Sequence, residues 1–450
     1  MDRRQFLIRS AATGGLTAGA LGGLGGLATP ALAQMTPPTD YRALVCLFLF
    51  GGNDSFNMLV PRSAAEYAAY ARSRQNLAIA QSSLLPILPL TSDGAQYGLH
   101  PRMPEMARLF DAGRLALVAN TGPLIRPVTK AEILGGGAQL PPQLFSHNDQ
   151  QDQWLTLQGR QDLRSGWAGR AADALAADLA AQRVATNISL SGTSVFQIGD
   201  TTQPYTVSND GAPSYLVLSP GAALFSERRA MFERVLALQQ PSPISRAYSA
   251  VHQRALLNAD RVNEALAAAV PIATRLPQSE LGRQLTMVAR LISARQQLAM
   301  RRQIFFVAIG GFDTHDDQNR LQPNLLGDLS TSLAGFYDAL AELRVDDQVT
   351  TFTQSDFGRT LTSNGDGTDH GWGGHQLVLG GAVRGREIYG RMPRLEIGGP
   401  EDVGAGRMIP STSVEQYAAT LLRWFGLSDP QIDAAAPSLR NFATRNLGFV

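Results

Sequence analysis

The longest uninterrupted apolar stretches of the chain are short and end in polar loops. Leu44 to Phe50 is apolar throughout and passes straight into Gly51-Gly52-Asn53-Asp54-Ser55, the pattern of a strand buried on both faces. A helix is predicted from Pro101 to about Ala112, stopped by Gly113, followed by a strand from Leu115 to Ala119. From about Ser226 to Arg302 the pattern is mainly helical, with breaks at Pro241-Ser242-Pro243 and near Pro271 and Pro277. A strand from Ile304 to Ile309 then ends in Gly310-Gly311-Phe312-Asp313. A helix from about Leu329 to Arg344 leads to a strand, Val349 to Thr353, that runs into Ser355-Asp356. Leu377 to Val383 reads as a further strand, and Thr412-Ser413-Val414-Glu415 as a capping box opening a helix that ends at Gly426. Residues 183–225, rich in Ser, Thr, Gly and Pro, are expected as an insertion covering the sheet. This is βαβ grammar and predicts one α/β domain over 34–450. Three predicted strands deliver an aspartate at their C-terminal ends, Asp54, Asp313 and Asp356, where open α/β sheets bind ligands.

Composition narrows the chemistry. Among 450 residues, 39 Lys plus Arg balance 38 Asp plus Glu, so nucleic acid is not an expected partner. Hydrophobic residues at 44% against 17% charged supply a large core and exclude a disordered chain. Lys130 is the only lysine, and its context, Pro-Val-Thr-Lys-Ala-Glu, suits neither a Schiff base nor a phosphate-binding loop. The single cysteine, Cys46, lies in an apolar run, which excludes an intrachain disulfide and a thiolate cluster and predicts a buried, inert thiol.

Residues 1–33 have the layout of a signal peptide: Arg3-Arg4-Gln5-Phe6-Leu7, an Ala/Gly/Leu stretch from Ala11 to about Ala28, and a small-x-small site at Ala31-Leu32-Ala33. The arginine pair with its glycine-rich, weakly apolar centre resembles a twin-arginine signal. That resemblance implies the twin-arginine export machinery as a partner, export in the folded state, and a periplasmic or secreted destination. An ordinary N-terminal anchor helix is the competing interpretation, disfavoured by the many glycines. Gln34 does not support a lipoprotein, and no later stretch is a continuous apolar run of membrane length.

Four of the six histidines, at 100, 147, 252, 315, 370 and 375, lie in polar loops that also carry aspartates. Asp313-Thr314-His315 offers a carboxylate and an imidazole that can reach one divalent ion, a donor set suited to Zn, Mn or Fe; an Asp cap beside a solvated histidine is the bland alternative. In Gly367-Thr368-Asp369-His370-Gly371-Trp372-Gly373-Gly374-His375, a glycine turn explains the glycines but not the two imidazoles. Arg359, after Asp356-Phe357-Gly358, could clamp an anionic oxygen or form an ordinary salt bridge. Ser146, before His147, could be a nucleophile at a helix N-terminus or merely a capping residue. His252 reads as structural and His100 stays open. Gly51-Gly52-Asn53-Asp54 also matches the Gly-x-Asn-Asp block of SGNH esterases, but no Gly-Asp-Ser nucleophile precedes it and no Asp-x-x-His follows.

Several of these motifs occur in order: Ala43 to Pro61, Ser146-His147 with Trp154, Gly166-Trp167-Ala168-Gly169-Arg170, GGFDTHDDQ, SDFGRT and GTDHGWGGH. Together, over about residues 43–428, they resemble the secreted bacterial family catalogued as domain of unknown function 1501, itself similar to the alkaline phosphatase and sulfatase superfamily. The resemblance implies an alkaline-phosphatase-like three-layer α/β sandwich with a mostly parallel central sheet and insertions. It also implies a divalent metal, with Zn, Mn, Ca and Mg all open. Carried onto this chain, it places metal ligands at Asp54, Asp313, His315, Asp356, Asp369 and His370 or His375, with Ser146, His147 and Arg359 as catalytic groups. Phe357 stands where the superfamily has a histidine, so a two-metal site would lack a ligand. The expected function is hydrolysis of a small anionic phosphate or sulfate ester. A non-catalytic binding or assembly protein that retains the fold is the alternative.

Overall fold

The computed structural model describes residues 39–157, 164–212, 218, 223–238 and 242–450. Residues 1–33, expected as a signal peptide, lie outside them. Fourteen strands occur among the described residues: β1 (Arg42–Leu49), β2 (Leu59–Pro61), β3 (Leu85–Ile87), β4 (Tyr97–Leu99), β5 (Leu115–Gly122), β6 (Asn187–Ser189), β7 (Tyr205–Thr206), β8 (Arg302–Ile309), β9 (Val349–Ser355), β10 (Arg359–Ser363), β11 (Thr368–His370), β12 (Gly374–Leu379), β13 (Glu387–Tyr389) and β14 (Thr412–Ser413). The main sheet runs β13-β5-β12-β9-β1-β8-β6-β7, with β14 also on β5. β1 is parallel to both β8 and β9, and only β12 runs antiparallel to its neighbours.

Strand β1 shows why the pattern is apolar throughout. Ala43, Val45, Leu47 and Leu49 pack into one core with the helices Pro104–Asp111, Glu280–Ser293 and Gln318–Glu342. Leu44, Cys46 and Phe48 pack into a second with the helices Trp167–Leu175 and Val414–Phe425. Helices therefore cover both faces, and the architecture is a three-layer α/β sandwich with a mostly parallel sheet. Cys46 is fully buried and burial pushes its thiol up, as an inert core thiol requires.

Within the stretch expected as an insertion, Asn187–Ser189 pairs with β8 and Tyr205–Thr206 with β6, so these residues extend the edge of the sheet. Two local expectations are corrected. The helix expected from Leu329 begins at Gln318 despite Pro323. Buried contacts of its first residues with the Asp54 loop, including Gln322 Nε2 donating to the Asp54 carbonyl at 2.6 Å, outweigh the proline's missing donor. The capping box is shifted by one: Ser413 caps, Gln416 reciprocates, and Thr412 belongs to β14. Among the described residues no helix is long and apolar enough to cross a membrane.

Glu415, in the first turn of the helix Val414–Phe425, is buried, and desolvation pushes its carboxyl up to about 8 against the hydrogen bonds from its own backbone and Ser413. A carboxyl raised above its unfolded value binds its proton more tightly in the folded state. Its contribution is complete below about pH 4.5 and is lost as pH rises through 8. Glu415→Gln is therefore expected to be increasingly more stable than wild type as pH rises from 5 to 9, by on the order of a few kcal/mol at the top. Urea unfolding at several pH values measures this.

Candidate metal centre

The register places the ends of three strands side by side. Leu49 of β1 pairs with Ile309 of β8 and with Ser355 of β9, so the loops beginning at Phe50, Gly310 and Asp356 leave the same edge of the sheet together. Two glycines make this junction possible. Gly51 has φ 112°, and a methyl there would stand 2.3 Å from the Asp313 amide nitrogen; at Gly52, φ 86°, it would meet the Phe357 ring at 2.4 Å. Gly51→Ala is expected to displace the Asp313 loop and lower the thermal unfolding midpoint, whereas Gly94→Ala, also at positive φ but in open space, carries only the backbone strain.

Asp313 lies at the centre of the cluster formed there. Its Oδ1 is 3.1 Å from His315 Nε2 and 3.4 Å from His370 Nε2, and its Oδ2 is 3.4 Å from His147 Nε2. The rings of His315 and His370 bring their Nε2 atoms within 2.9 Å of each other. Each Nδ1 faces an acceptor: His147 donates to Asp356 Oδ2 at 2.6 Å, His370 to the Phe145 carbonyl at 2.8 Å, and His315 faces Asp369 Oδ1 at 3.3 Å. An imidazole that donates from Nδ1 carries its lone pair on Nε2, so three lone pairs and a carboxylate converge. Two such lone pairs 2.9 Å apart repel unless a cation or a proton lies between them. A metal fits His147, Asp313 and His370, whose ligand atoms all lie within 4.8 Å of one another, with His315 Nε2 beside His370 and Asp313 and an oxygen behind every imidazole.

Electrostatics agree. Partial burial raises the Asp313 carboxyl, but the Arg359 hydrogen bond and charge, with His315 and His147, outweigh it and hold the group below its ordinary value. Burial lowers His370, which keeps the ring neutral and able to ligate.

The structure gives several residues expected as ligands or catalysts other side-chain partners. Asp54 is buried away from the cluster, its Oδ2 accepting from Arg74 and from Gln318 Nε2. With both side chains fully buried and Oδ2 spent on Arg74 and Gln318, Asp54 serves as a core ion-pair partner. Asp356 stands behind His147 rather than beside Asp313: Oδ2 takes the His147 proton and the Gln151 amide at 2.8 Å, and Oδ1 accepts from the Gly51 amide at 3.1 Å. Asp369 likewise faces His315 Nδ1. His375 is fully buried, accepts the Asn120 amide at Nδ1 and packs edge-on against Phe56; burial pushes it down to about 3, which marks a neutral structural ring. Arg359 is buried with its fork spent on Asp313 Oδ1 (2.5 Å), the Gly51 carbonyl and Thr368, so it fixes a carboxylate and is not available to clamp a substrate. Ser146 precedes the helix His147–Thr156 without capping it, and its hydroxyl donates to Asp149 Oδ2 at 2.6 Å. His147, expected as a catalytic group, stands among the ligand-type imidazoles. Phe357 fills the expected histidine position as an apolar wall, its ring 4.8 Å from His147 and 4.6 Å from His370. Sequence reasoning did not reach Gln151 or Arg74. The i+4 spacing of Gln151 from His147 was a usable signal; nothing local marks Arg74.

The fold and this cluster define a class: a three-layer α/β protein carrying an imidazole and carboxylate centre at the C-terminal edge of its sheet. Within it, the chain belongs to the family described as Protein of unknown function (DUF1501), whose profile matches residues 41–434. No curated protein matches it. Among solved structures, it is similar to Ps i-CgsB at 9% identity, over 89% of this chain and 77% of that one, with a TM-score of 0.34. The same protein in complex with k-i-k-neocarrahexaose gives 9% identity, 87% and 74% coverage and 0.32. A structure titled for the metabolism of multiple glycosaminoglycans by Bacteroides thetaiotaomicron gives 10%, 87%, 74% and 0.33.

Proposed function

We propose that the protein is an exported, single-metal hydrolase of phosphate or sulfate monoesters, of the alkaline phosphatase and sulfatase type. The observation that carries this reading is the convergence of three Nε2 atoms on Asp313 with each Nδ1 anchored behind. His147, His370 and Asp313 would hold one divalent metal, with His315 beside them as a further donor, and the metal would supply a Lewis acid to the ester. One ion fits better than two, because Asp54 belongs to Arg74 and Phe357 offers no donor.

The chain's own residues divide the remaining work. Asp356, held by Gln151 and the Gly51 amide, fixes the tautomer and direction of His147. Arg359 keeps Asp313 ionised and pointed inward. Phe357 lines one side with apolar surface and limits water around the histidines. Ser146 Oγ stands at the N-terminus of a ten-residue helix, where backbone amides favour an anion. It attacks phosphorus or sulfur as its proton passes along the existing hydrogen bond to Asp149 Oδ2. The bond to the ester oxygen breaks, the leaving alcoholate takes up the proton that Asp149 received, and water then cleaves the seryl ester, one of its protons restoring the serine hydroxyl as the inorganic anion leaves.

Elemental analysis of the purified protein and a panel of aryl phosphates and sulfates with Zn, Mn, Mg and Ca added back test the proposal. Ser146→Ala is expected to keep the metal and lose at least about a hundredfold in turnover. A protein that binds no metal refutes the reading. Phe357 and the spent fork of Arg359 favour one second reading, a binding protein that keeps the metal without turnover; metal binding with silence across the panel would support it.

A further inference from the structure

With Arg359 committed to Asp313, a site for a monoester dianion still needs a cation beside the metal ligands, and the structure offers one that carried no sequence motif. Arg407 Nε donates to the His370 carbonyl at 3.1 Å, and its guanidinium stacks over the Phe145 ring at 4.8 Å. Phe145 in turn accepts from His370 Nδ1 and directly precedes Ser146 and His147. Arg407 is thus fastened to both segments that supply the site. The side chain is partly exposed, and among the described residues its two terminal nitrogens have no protein partner.

The loop that carries it is built to hold a position. Buried Asp402 accepts the amides of Gly398, Gly404 and Gly406 at 2.7, 2.7 and 2.9 Å. The Arg407 carbonyl accepts from Val403, and the Gly373 amide ties the loop to the turn after His370 through the Met408 carbonyl at 2.9 Å. Gly406, at φ 75°, lies so close to Leu361 that a methyl would stand 2.7 Å away, so the loop has little freedom to swing. A guanidinium held at one nitrogen and open at two others is the geometry that takes two oxygens of a phosphate or sulfate.

We propose that Arg407 is the substrate-anchoring residue of this site, receiving two non-bridging oxygens of the monoester while the metal ligands and Ser146 address the reacting atom. The inference rests on the hydrolase reading, and its test separates the two. Metal-loaded wild type, Arg407→Gln and Arg407→Lys are titrated with inorganic phosphate and with inorganic sulfate by calorimetry, and metal content is measured on the same samples. Arg407→Gln is expected to retain its metal and to bind the preferred anion at least tenfold more weakly, with Arg407→Lys recovering part of the loss. In ester turnover the same substitution is expected to raise KM more than it lowers kcat. Whichever anion binds wild type more tightly identifies the ester class. Unchanged anion affinity in Arg407→Gln with full metal, or no binding of either anion by metal-loaded wild type, overturns the assignment. Loss of metal from wild type itself would instead overturn the hydrolase reading.

Discussion

Replacing Asp313 with alanine is expected to strip the protein of its metal and to reduce ester turnover by well over a hundredfold. Substitutions one layer behind a metal typically cost ten- to a hundredfold in affinity, and Asp313 is contacted by every imidazole of the cluster. Its removal takes away the carboxylate on which the imidazoles converge and leaves no anion there to balance a divalent charge. It also leaves Arg359, buried with a guanidinium nitrogen aimed at the missing Oδ1, as an unpaired cation, so a lower unfolding midpoint should accompany the metal loss. Asp313→Asn keeps the shape and separates the effects: it should retain more stability than alanine while still losing the metal. Elemental analysis and calorimetric metal titration measure both variants. His375→Gln is the control, since that ring lies in the core and should leave metal content unchanged. A full equivalent of metal in Asp313→Ala would overturn the cluster as a metal centre.

The parts of the site legible in sequence are those written into single segments. Asp313 and His315 follow the apolar run 304–309, and His370 lies in a glycine-rich segment whose glycines do not account for its imidazole, so chemistry was visible where hydrophobic periodicity stopped. The sheet was legible for the same reason, because a strand buried on both faces has no polar alternation. Partnerships were not legible. Asp54 and Asp356 both follow strands and look alike in sequence. One meets Arg74, on the helix Ala64–Arg74, and the other His147, 209 residues away. Which aspartate faces a metal and which faces a cation is decided by that long-range packing. Arg359 illustrates the same limit: its spacing allowed a substrate clamp, and only the approach of the Asp313 loop consumes its fork. The early start of the helix Gln318–Glu342 was hidden because Pro323 is a local signal and the Asp54 loop that overrides it is not.

The clearest test of that distinction is the Asp54 and Arg74 pair, where breaking the ion pair is expected to cost about 3–5 kcal/mol of stability without removing metal. Both side chains are fully buried. Arg74 donates from Nε to Asn57 Oδ1 at 3.1 Å and from one terminal nitrogen to the Thr360 carbonyl at 2.9 Å, while the other meets Asp54. Arg74→Met leaves the Asp54 carboxylate with Gln318 as its remaining side-chain donor, in a site where water does not reach it. Asp54→Asn leaves the guanidinium charge uncompensated instead. Each single variant should unfold at clearly lower urea, yet the folded fraction of each should bind metal as wild type does. Asp54→Leu combined with Arg74→Met should recover part of the loss, because exchanging a buried pair for apolar side chains removes two desolvation costs together. If Asp54 were a ligand, Asp54→Asn would lose metal in proportion to its loss of activity and Arg74→Met would not. Equal stability loss with metal retained in both would place Asp54 in the scaffold beneath the centre.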